Sequence, residues 1–412
     1  MPHTVVLLGT LDTKGEEYAF IRDRLRDAGV ESLVIDTGVL GAPGFEPDID
    51  REAVALAGGG VLSELVTAHD RGAAMAVMAA GATVLVRELF ERGDVQGALA
   101  LGGTGGTSLA ATAFRALPLG IPKLIVSTAA SGTTEQYVGE SDLILMPSVV
   151  DVAGLNRISL RIIANAAAAM AGMVGAAALA PVALRPLVAA SMFGVTTPCV
   201  TRARERLEAL GYEVLVFHMT GSGGRAMESL ITQGYFAGVL DLTTTELADD
   251  LVGGVFSAGP ARLTAAGASG VPQVISTGAL DMVNFGPLDT VPERFHERNL
   301  YVHNSSVTLM RTTAEECAAL GAALAAKARA ATGPTTVLLP LGGVSAIATP
   351  GGPFADAAAD DALFDAIRAG ADGFELIEFD VDINHPDFAD AAADRLHAAI
   401  LAHHSTLQGA PS

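Results

Sequence analysis

The sequence has few basic residues, only two cysteines and no tryptophan. Lysine and arginine together number 25 against 46 aspartates and glutamates, which gives a formal net charge of -21. Because nucleic acids and anionic membranes are bound through clustered basic side chains, this balance argues against both partners. Cys199 and Cys317 lie far apart and provide neither a disulfide framework nor a zinc site. We therefore expect a reducing, cytoplasmic location.

Long hydrophobic runs are also scarce. Residues 162–184 have the length of a membrane span, but their apolar character comes mainly from alanine and glycine, and they include Asn165 and Pro181. We predict a closely packed helix at a domain or subunit contact instead of a membrane helix. The N-terminus lacks the basic start and apolar core of a signal peptide.

The chain repeats a pattern of strands and helices. Apolar strands alternate with amphipathic helices in two halves of the sequence, and polar or glycine-rich turns follow the strands. The matching pairs are residues 7–38 with 191–221, 88–106 with 229–247, 120–128 with 270–277, and 142–151 with 299–308.

This repeat predicts an α/β protein made of two related Rossmann-like domains, each a mainly parallel sheet flanked by helices. We place the domains at residues 1–182 and 188–412, joined near the proline-flanked segment 180–187. In such sheets ligands bind beyond the carboxyl ends of the strands. The turns after strands are therefore the places to look for a site.

Three such turns in the first domain carry candidate nucleotide-binding residues. In "GTLDTKGEE", Lys14 would meet a phosphate, Thr13 would donate a hydroxyl and Asp12 would hold a metal-bound water. The alternative is a helix N-cap beside a solvated lysine. In the loop "STAASGTT", Ser131 and Thr133 would bind ligand oxygens or cap a helix.

The third turn, "GGTGGT", lies between a predicted strand and a predicted helix. Its glycines allow backbone N–H groups to approach an anion, and the helix dipole assists. The alternative is a close strand-to-helix turn, since the turn is not a Walker A loop. Its residues are Gly102, Gly103, Thr104, Gly105, Gly106 and Thr107.

The second domain carries candidates for a small carboxylate or phosphorylated compound. In "GSGGR", Arg225 beside free N–H groups at a helix start would form a fork for such an anion. Asp281, His303 and Arg311 supply an acid, a possible base and a cation, enough for catalysis if their loops converge. The alternative for His303 is a structural hydrogen bond. The substrate-binding candidates are Gly221, Ser222, Gly223, Gly224, Arg225, Asn284 and Asn304.

Five ordered motifs resemble a bacterial, fungal and plant family related to the N-terminal inhibitory domain of the tomato mosaic virus resistance protein. They are "GTLDTKGEE", "GGTGGT", "GSGGRAME", "GALDMVNFG" and "HNSSVTLMRTTAEE", and the resemblance covers essentially the whole chain. It implies a two-domain Rossmann-like protein that binds ATP with Mg²⁺ and forms dimers. The antiviral role of the plant member is not carried over, because nothing in this sequence encodes a viral-replicase surface.

We therefore predict a cytoplasmic, homo-oligomeric ATP-binding protein that acts in bacterial small-molecule metabolism or its regulation. On physical grounds its phosphates would bind at Gly102–Thr107, with Asp12, Thr13 and Lys14 nearby. The alternative is a metabolic enzyme, a hydrolase, lyase or transferase, that acts on a small carboxylate or phosphorylated compound at the second domain.

Overall fold

The computed structural model describes residues 3–176 and 184–409. The chain divides into two units, Met1–Ala180 and Pro181–Ser412. Part of the predicted connection, residues 180–187, lies outside the described residues.

The first unit contains one parallel sheet with the strand order β2-β1-β3-β4-β5. Its strands are β1 (Thr4–Gly9), β2 (Glu31–Asp36), β3 (Gly97–Gly102), β4 (Lys123–Ser127) and β5 (Ile144–Pro147). Its helices are α1 (Leu11–Asp27), α2 (Arg51–Ala57), α3 (Leu62–Ala68), α4 (Arg71–Glu91), α5 (Thr104–Arg115), α6 (Glu135–Val138) and α7 (Arg157–Val174).

Helices cover both faces of this sheet. Successive strand residues point to opposite faces, and in β1 the side chains on both faces are apolar. Val5 and Leu7 of β1 pack in one apolar cluster with residues of α1 and α7. Val6 and Leu8 pack in another, with residues of α4 and α5. The central strands β1 and β3 are therefore apolar and buried over almost their whole length, as expected for a parallel sheet covered on both faces.

Among the described residues, α4 and α7 are long and apolar enough to cross a membrane by length and composition alone. In each helix, 33% of the most apolar 18-residue window is buried. This is weak evidence, since core helices of soluble proteins can meet the same criterion, and both helices contribute residues to the clusters on the sheet. Most of α7 falls within the small-residue segment 162–184 noted in the sequence.

The second unit contains a six-stranded parallel sheet, order β14-β13-β9-β8-β6-β7, and a three-stranded antiparallel sheet, order β10-β12-β11. Its strands are β6 (Leu187–Met192), β7 (Glu213–His218), β8 (Gly238–Thr243), β9 (Gln273–Gly278), β10 (Met282–Phe285), β11 (Leu300–Asn304), β12 (Val307–Arg311), β13 (Thr335–Pro340) and β14 (Glu375–Phe379). Its helices are α8 (Thr197–Ala209), α9 (Ser222–Thr232), α10 (Glu246–Val252), α11 (Ala265–Ala268), α12 (Ala314–Arg329), α13 (Ala357–Ala369) and α14 (Pro386–Gly409).

The two parallel sheets confirm the predicted α/β fold class with two related Rossmann-like domains. Strands β7, β6, β8, β9 and β13 follow the same order in space as β2, β1, β3, β4 and β5. One of the four matched segment pairs was wrong. Residues 144–147 form a parallel strand, whereas residues 300–304 form an antiparallel one, and β13 takes the place of β5. Both segments are short apolar stretches before hydroxyl-rich turns, and this pattern does not specify the partner strand.

Candidate functional site

A cleft opens in the first unit at the carboxyl ends of β4 and β5. Its volume of about 470 Å³ lies within the range of small-molecule sites. The loop after β4 supplies hydroxyl groups to it, and the end of β5 with the loop that follows supplies both apolar and polar side chains. The lining residues are Ser127, Thr128, Ser131, Pro147, Ser148, Val149, Val150 and Asp151. Of the two predicted hydroxyl residues, Ser131 lines this cleft and Thr133 is exposed in the same loop.

The glycine-rich turn joins β3 directly to α5, which begins at Thr104. The residue before the helix is Gly103, which offers no side chain to cap the first turn. The first four N–H groups of an α-helix have no partner within the helix, and they carry a partial positive charge. A Cβ added to Gly103 would come no closer than 3.7 Å to Oγ1 of Thr128, a residue of the cleft. The open side of the turn therefore borders the cleft.

The other residues of the turn support the backbone. A Cβ on Gly102 would lie 3.1 Å from Cα of Gly106, so these glycines allow the strand and the helix to approach closely. Thr107 Oγ1 is 2.6 Å from Ser127 Oγ in a buried hydrogen bond that ties α5 to β4. The two interpretations of this motif therefore apply to different residues: a close turn at Gly102, Gly106 and Thr107, and open backbone at Gly103.

Arg71, the first residue of α4, was missed by the sequence analysis. Its Nη2 lies 3.4 Å from the position of a Cβ built on Gly105. An exposed guanidinium thus stands beside the first turn of α5. The signal in the sequence was faint, since Arg71 is a single basic residue at the start of an alanine-rich helix, more than thirty positions before the turn.

Asp12, Thr13 and Lys14 hold the backbone around β1. Asp12 Oδ2 accepts hydrogen bonds from the N–H groups of residues 40 and 41, at 2.8 and 3.2 Å. Thr13 Oγ1 lies 2.9 Å from a threonine hydroxyl just before α1. Lys14 Nζ donates to the carbonyl of Val152, which ties α1 to the loop after β5. The N-cap of α1 is Thr10, which makes no side-chain capping hydrogen bond. Asp12 and Thr13 therefore do not cap the helix, and Lys14 is bound to a carbonyl instead of being solvated.

The first turn of α1 receives a carboxylate of the chain itself. Asp36 Oδ1, at the end of β2, accepts hydrogen bonds from the N–H groups of Leu11 and Gly38 at 3.0 and 2.9 Å. Burial raises the pKa of Asp36, and its two backbone hydrogen bonds partly offset that rise. An external anion at α1 would have to displace this side chain.

The "GSGGR" turn of the second unit also holds an internal anion. Glu246 Oε1 accepts hydrogen bonds from the N–H groups of Gly221 and Gly224, at 2.7 and 3.1 Å. A Cβ on Gly224 would lie 2.0 Å from Glu246 Oε2, so the carboxylate fills the space that the glycine leaves. Arg225 Nη1 donates to the carbonyl of Ser257 at 3.3 Å. The N–H groups of the turn thus bind a carboxylate that belongs to the chain, and the Arg225 guanidinium donates to the backbone of Ser257.

Arg262 anchors that carboxylate from its other side. Its side chain is 0% exposed, and its Nε lies 2.6 Å from Glu246 Oε2. The same guanidinium makes two bonds to Asp241, at 2.5 and 2.6 Å, and a longer one of 3.2 Å to Glu228. Burial raises the pKa of Glu246, and the positive charge of Arg262 opposes that rise. The result is a buried cation shared by three carboxylates.

The structure brings Asp281 and Arg311 together but not His303. Asp281 is the residue before β10, and Arg311 ends β12, the strand that pairs with it. Arg311 is buried and is bound to Asp360 at 2.6 Å. His303 is exposed near the tip of the β11–β12 hairpin, beside the turn at residues 305–306. The three side chains therefore do not form one constellation in this unit.

The two asparagines assigned to substrate binding have partners within the chain. Asn284 is buried, and its Nδ2 donates to Asp249 Oδ2 at 2.6 Å. Burial raises the pKa of Asp249 to about 7, and the Asn284 hydrogen bonds oppose the rise. Asn304 Oδ1 accepts a hydrogen bond from the N–H of Ser306 at 2.8 Å in the hairpin turn. Both side chains thus stabilise local structure.

Asp281 provides a test of stability against pH. Burial raises its pKa to about 6, although Arg311 opposes the rise, whereas the ordinary value is about 3.9. A carboxyl that binds its proton more tightly in the folded chain stabilises the fold at low pH, and this contribution is lost as the pH rises from about 4 to 6. Over that range, the free energy of unfolding of the wild type should fall by about 2–3 kcal/mol relative to that of Asp281→Asn.

Melting temperatures measured from pH 4 to 7 by scanning calorimetry would check this. The pKa of Asp249 is raised as well, so this residue also makes stability fall with rising pH. The difference between the wild type and Asp281→Asn isolates the contribution of Asp281. Parallel profiles for the two proteins would show that Asp281 does not release its proton in this range.

The chain matches both domains of one protein family. Residues 3–178 match the N-terminal domain and residues 185–400 the C-terminal domain of the uncharacterised protein family UPF0261. The chain belongs to this family. A UPF0261 protein of Clostridium tetani is 50% identical over 398 residues, which cover 96% of this chain and 98% of that protein.

A plant relative confirms the resemblance drawn from the motifs. The ToMV resistance protein Tm-1(GCR237) of Solanum lycopersicum is 40% identical over 415 residues, which cover 95% of this chain and 55% of the tomato protein. A solved UDP-N-acetylglucosamine 2-epimerase from Rickettsia bellii, 11% identical, covers 61% of this chain and 77% of its own with a TM-score of 0.24. A likeness of that size supports no inference.

Proposed function

We propose that this UPF0261 chain binds ATP in its first unit, with the phosphates at the first turn of α5. The observation that carries the proposal is the open N-terminus of α5, with the Arg71 guanidinium on one side and the cleft on the other. Helix N-termini and arginine forks are the groups that proteins use to hold phosphates. The residues present therefore fit a polyphosphate.

The cleft also suits the remainder of a nucleotide. Thr128 and Ser131 offer hydroxyls for the oxygens of a sugar phosphate, and Asp151 offers a carboxylate. Among the described residues, no group of three or more histidine, cysteine, aspartate or glutamate side chains is placed to hold a metal ion. Mg²⁺ is commonly bound by one or two carboxylates together with substrate phosphates. We infer that it would enter with the nucleotide.

The second unit supports the alternative function less well. Glu246 occupies the anion position at α9, and Asp281 and Arg311 are buried away from His303. We infer that nucleotide binding in the first unit serves small-molecule metabolism or its regulation. Product formation from a metabolite panel in the presence of ATP would support an enzyme. A change of oligomeric state on ATP addition without turnover would support a regulatory homo-oligomer.

The first test is calorimetric titration of the chain with ATP, with and without Mg²⁺, in wild type and Arg71→Ala. Loss of a charged hydrogen-bond donor costs about 1.5–3 kcal/mol, so Arg71→Ala should bind ATP about 10- to 100-fold more weakly.

Arg87→Ala is the matched control. Arg87 lies on the same helix and is 56% exposed, and its nearest partner is Glu91 at 3.6 Å. Its removal subtracts the same charge from the same element and should leave the affinity unchanged. Absence of ATP binding by the wild type would overturn the proposal, and equal affinity in Arg71→Ala would remove Arg71 from the site.

A further inference from the structure

Val149 has a backbone conformation that valine rarely adopts. Its φ is +64°, and the N–H of Val150 donates to the carbonyl of Ser148 at 2.7 Å, which closes a γ-turn around it. A γ-turn with a positive φ is strained, and a β-branched residue there is an outlier. Such conformations persist only where surrounding structure holds them, and they cluster at ligand sites.

The neighbouring contacts hold this turn from both sides. The N–H of Ser148 donates to the carbonyl of Ser127 at 3.0 Å, and Ser148 Oγ donates to the carbonyl of Val150 at 2.7 Å. Further along, the buried Val152 accepts the hydrogen bond from Lys14, and the N–H of residue 154 donates to the carboxylate of Glu17 at 2.7 Å. The loop is therefore fixed to β4 and to α1.

The Val149 side chain contributes little to the folded core. It is 78% exposed, so its apolar surface remains in water. Glycine, or even asparagine, would suit the positive φ better. Val149 nevertheless lines the cleft, next to Pro147 and Val150. An exposed valine in a strained turn at a cleft suggests that its side chain is buried by something that binds there.

We propose that Val149 contacts the planar base of the bound nucleotide. The inference rests on the proposed function, and it deepens that function by assigning the residue that contacts the base. A heterocyclic base has apolar faces that gain by burial against an aliphatic side chain, whereas a ribose and its phosphates prefer hydroxyl and N–H partners. The cleft offers both kinds of lining. Pro147 at the end of β5 and Val149 and Val150 of the next loop are apolar, and Thr128 and Ser131 of the loop after β4 carry hydroxyls.

The test compares two ligands and two variants. ATP carries the base, whereas inorganic tripolyphosphate carries only the phosphates. Val149→Gly and Val149→Asn both accept the positive φ, but they remove the apolar side chain. We expect the affinity of each variant for ATP to fall by at least about fivefold. Their affinity for tripolyphosphate should equal that of the wild type. Val149→Ile, which keeps an apolar side chain, should retain ATP binding.

Each outcome decides the assignment. Because both variants relieve the strained turn, their melting temperatures should equal or exceed that of the wild type, which separates loss of binding from loss of folding. Wild-type affinity for ATP in both variants would overturn the role of Val149 and leave the phosphate site standing. Loss of tripolyphosphate along with ATP would also overturn the base contact. A wild type that binds neither ligand would overturn the proposed function itself.

Discussion

Replacing Arg262 with methionine is expected to lower the unfolding free energy of the second unit by about 3–5 kcal/mol. The guanidinium is fully buried, and Asp241 and Glu246, which it binds, are buried with it. Methionine fills much of the volume but leaves these carboxylates without their cation. Scanning calorimetry or denaturant unfolding of the full chain would measure the loss.

Arg204→Met provides the matched control for this prediction. Arg204 is 50% exposed on α8 and pairs with Glu208 at 2.9 Å. An exposed pair of this kind contributes about 0–1 kcal/mol to stability. The melting temperature of Arg204→Met should therefore stay close to that of the wild type. Equal losses of unfolding free energy in the two variants would mean that the buried ion pairs of Arg262 stabilise the fold no more than an exposed pair does.

Gly105→Val is expected to weaken ATP binding about 100-fold or more, because the side chain would stand before the first turn of α5. A Cβ at this position would lie 3.4 Å from Nη2 of Arg71 and 3.7 Å from Cε of Met75. Both atoms are the ends of flexible side chains that can move aside, so the fold should be kept. Calorimetric titration checks the affinity, and circular dichroism checks the fold.

Gly172→Val makes the same chemical change in α7. A Cβ at Gly172 would meet no atom within 4 Å, so this variant carries the cost of a β-branched residue in a helix without obstructing the cleft. Its ATP affinity should match that of the wild type. If Gly105→Val also retained full affinity, the phosphates could not lie at the first turn of α5.

Local patterns were sufficient to predict the fold class. Strand β1 is apolar at every position from Val5 to Leu8 and is followed by an amphipathic helix, which is the expected signature of a strand buried on both faces. The strand pairing of residues 300–311 could not be predicted in this way, because a short apolar stretch before a polar turn has the same appearance in parallel and antiparallel sheets. Pairing depends on residues far away in the chain, and a local pattern does not contain them.

The candidate site was predicted only in part for the same reason. The glycines before α5 indicate a close turn wherever they occur, but Arg71 reaches them from another helix, and no motif links the two segments. In the second unit the glycines of "GSGGR" were correctly placed at a helix start, yet Glu246, the group that fills the turn, comes from the element after the next strand. Side chains that reach between segments escape any analysis of neighbouring residues.

The internal carboxylate of the second unit has a consequence for the history of the chain. When residues 88–106 are aligned with 229–247, Gly105 corresponds to Glu246, and a glycine codon can become a glutamate codon by a single base change. If the two units arose by duplication, this change placed a carboxylate at the start of α10 where the first unit has only a hydrogen atom, and that carboxylate fills the first turn of the neighbouring helix α9. On the proposed function, the first copy gains stability with the cellular concentration of ATP, whereas the second keeps its anion even in a starved cell.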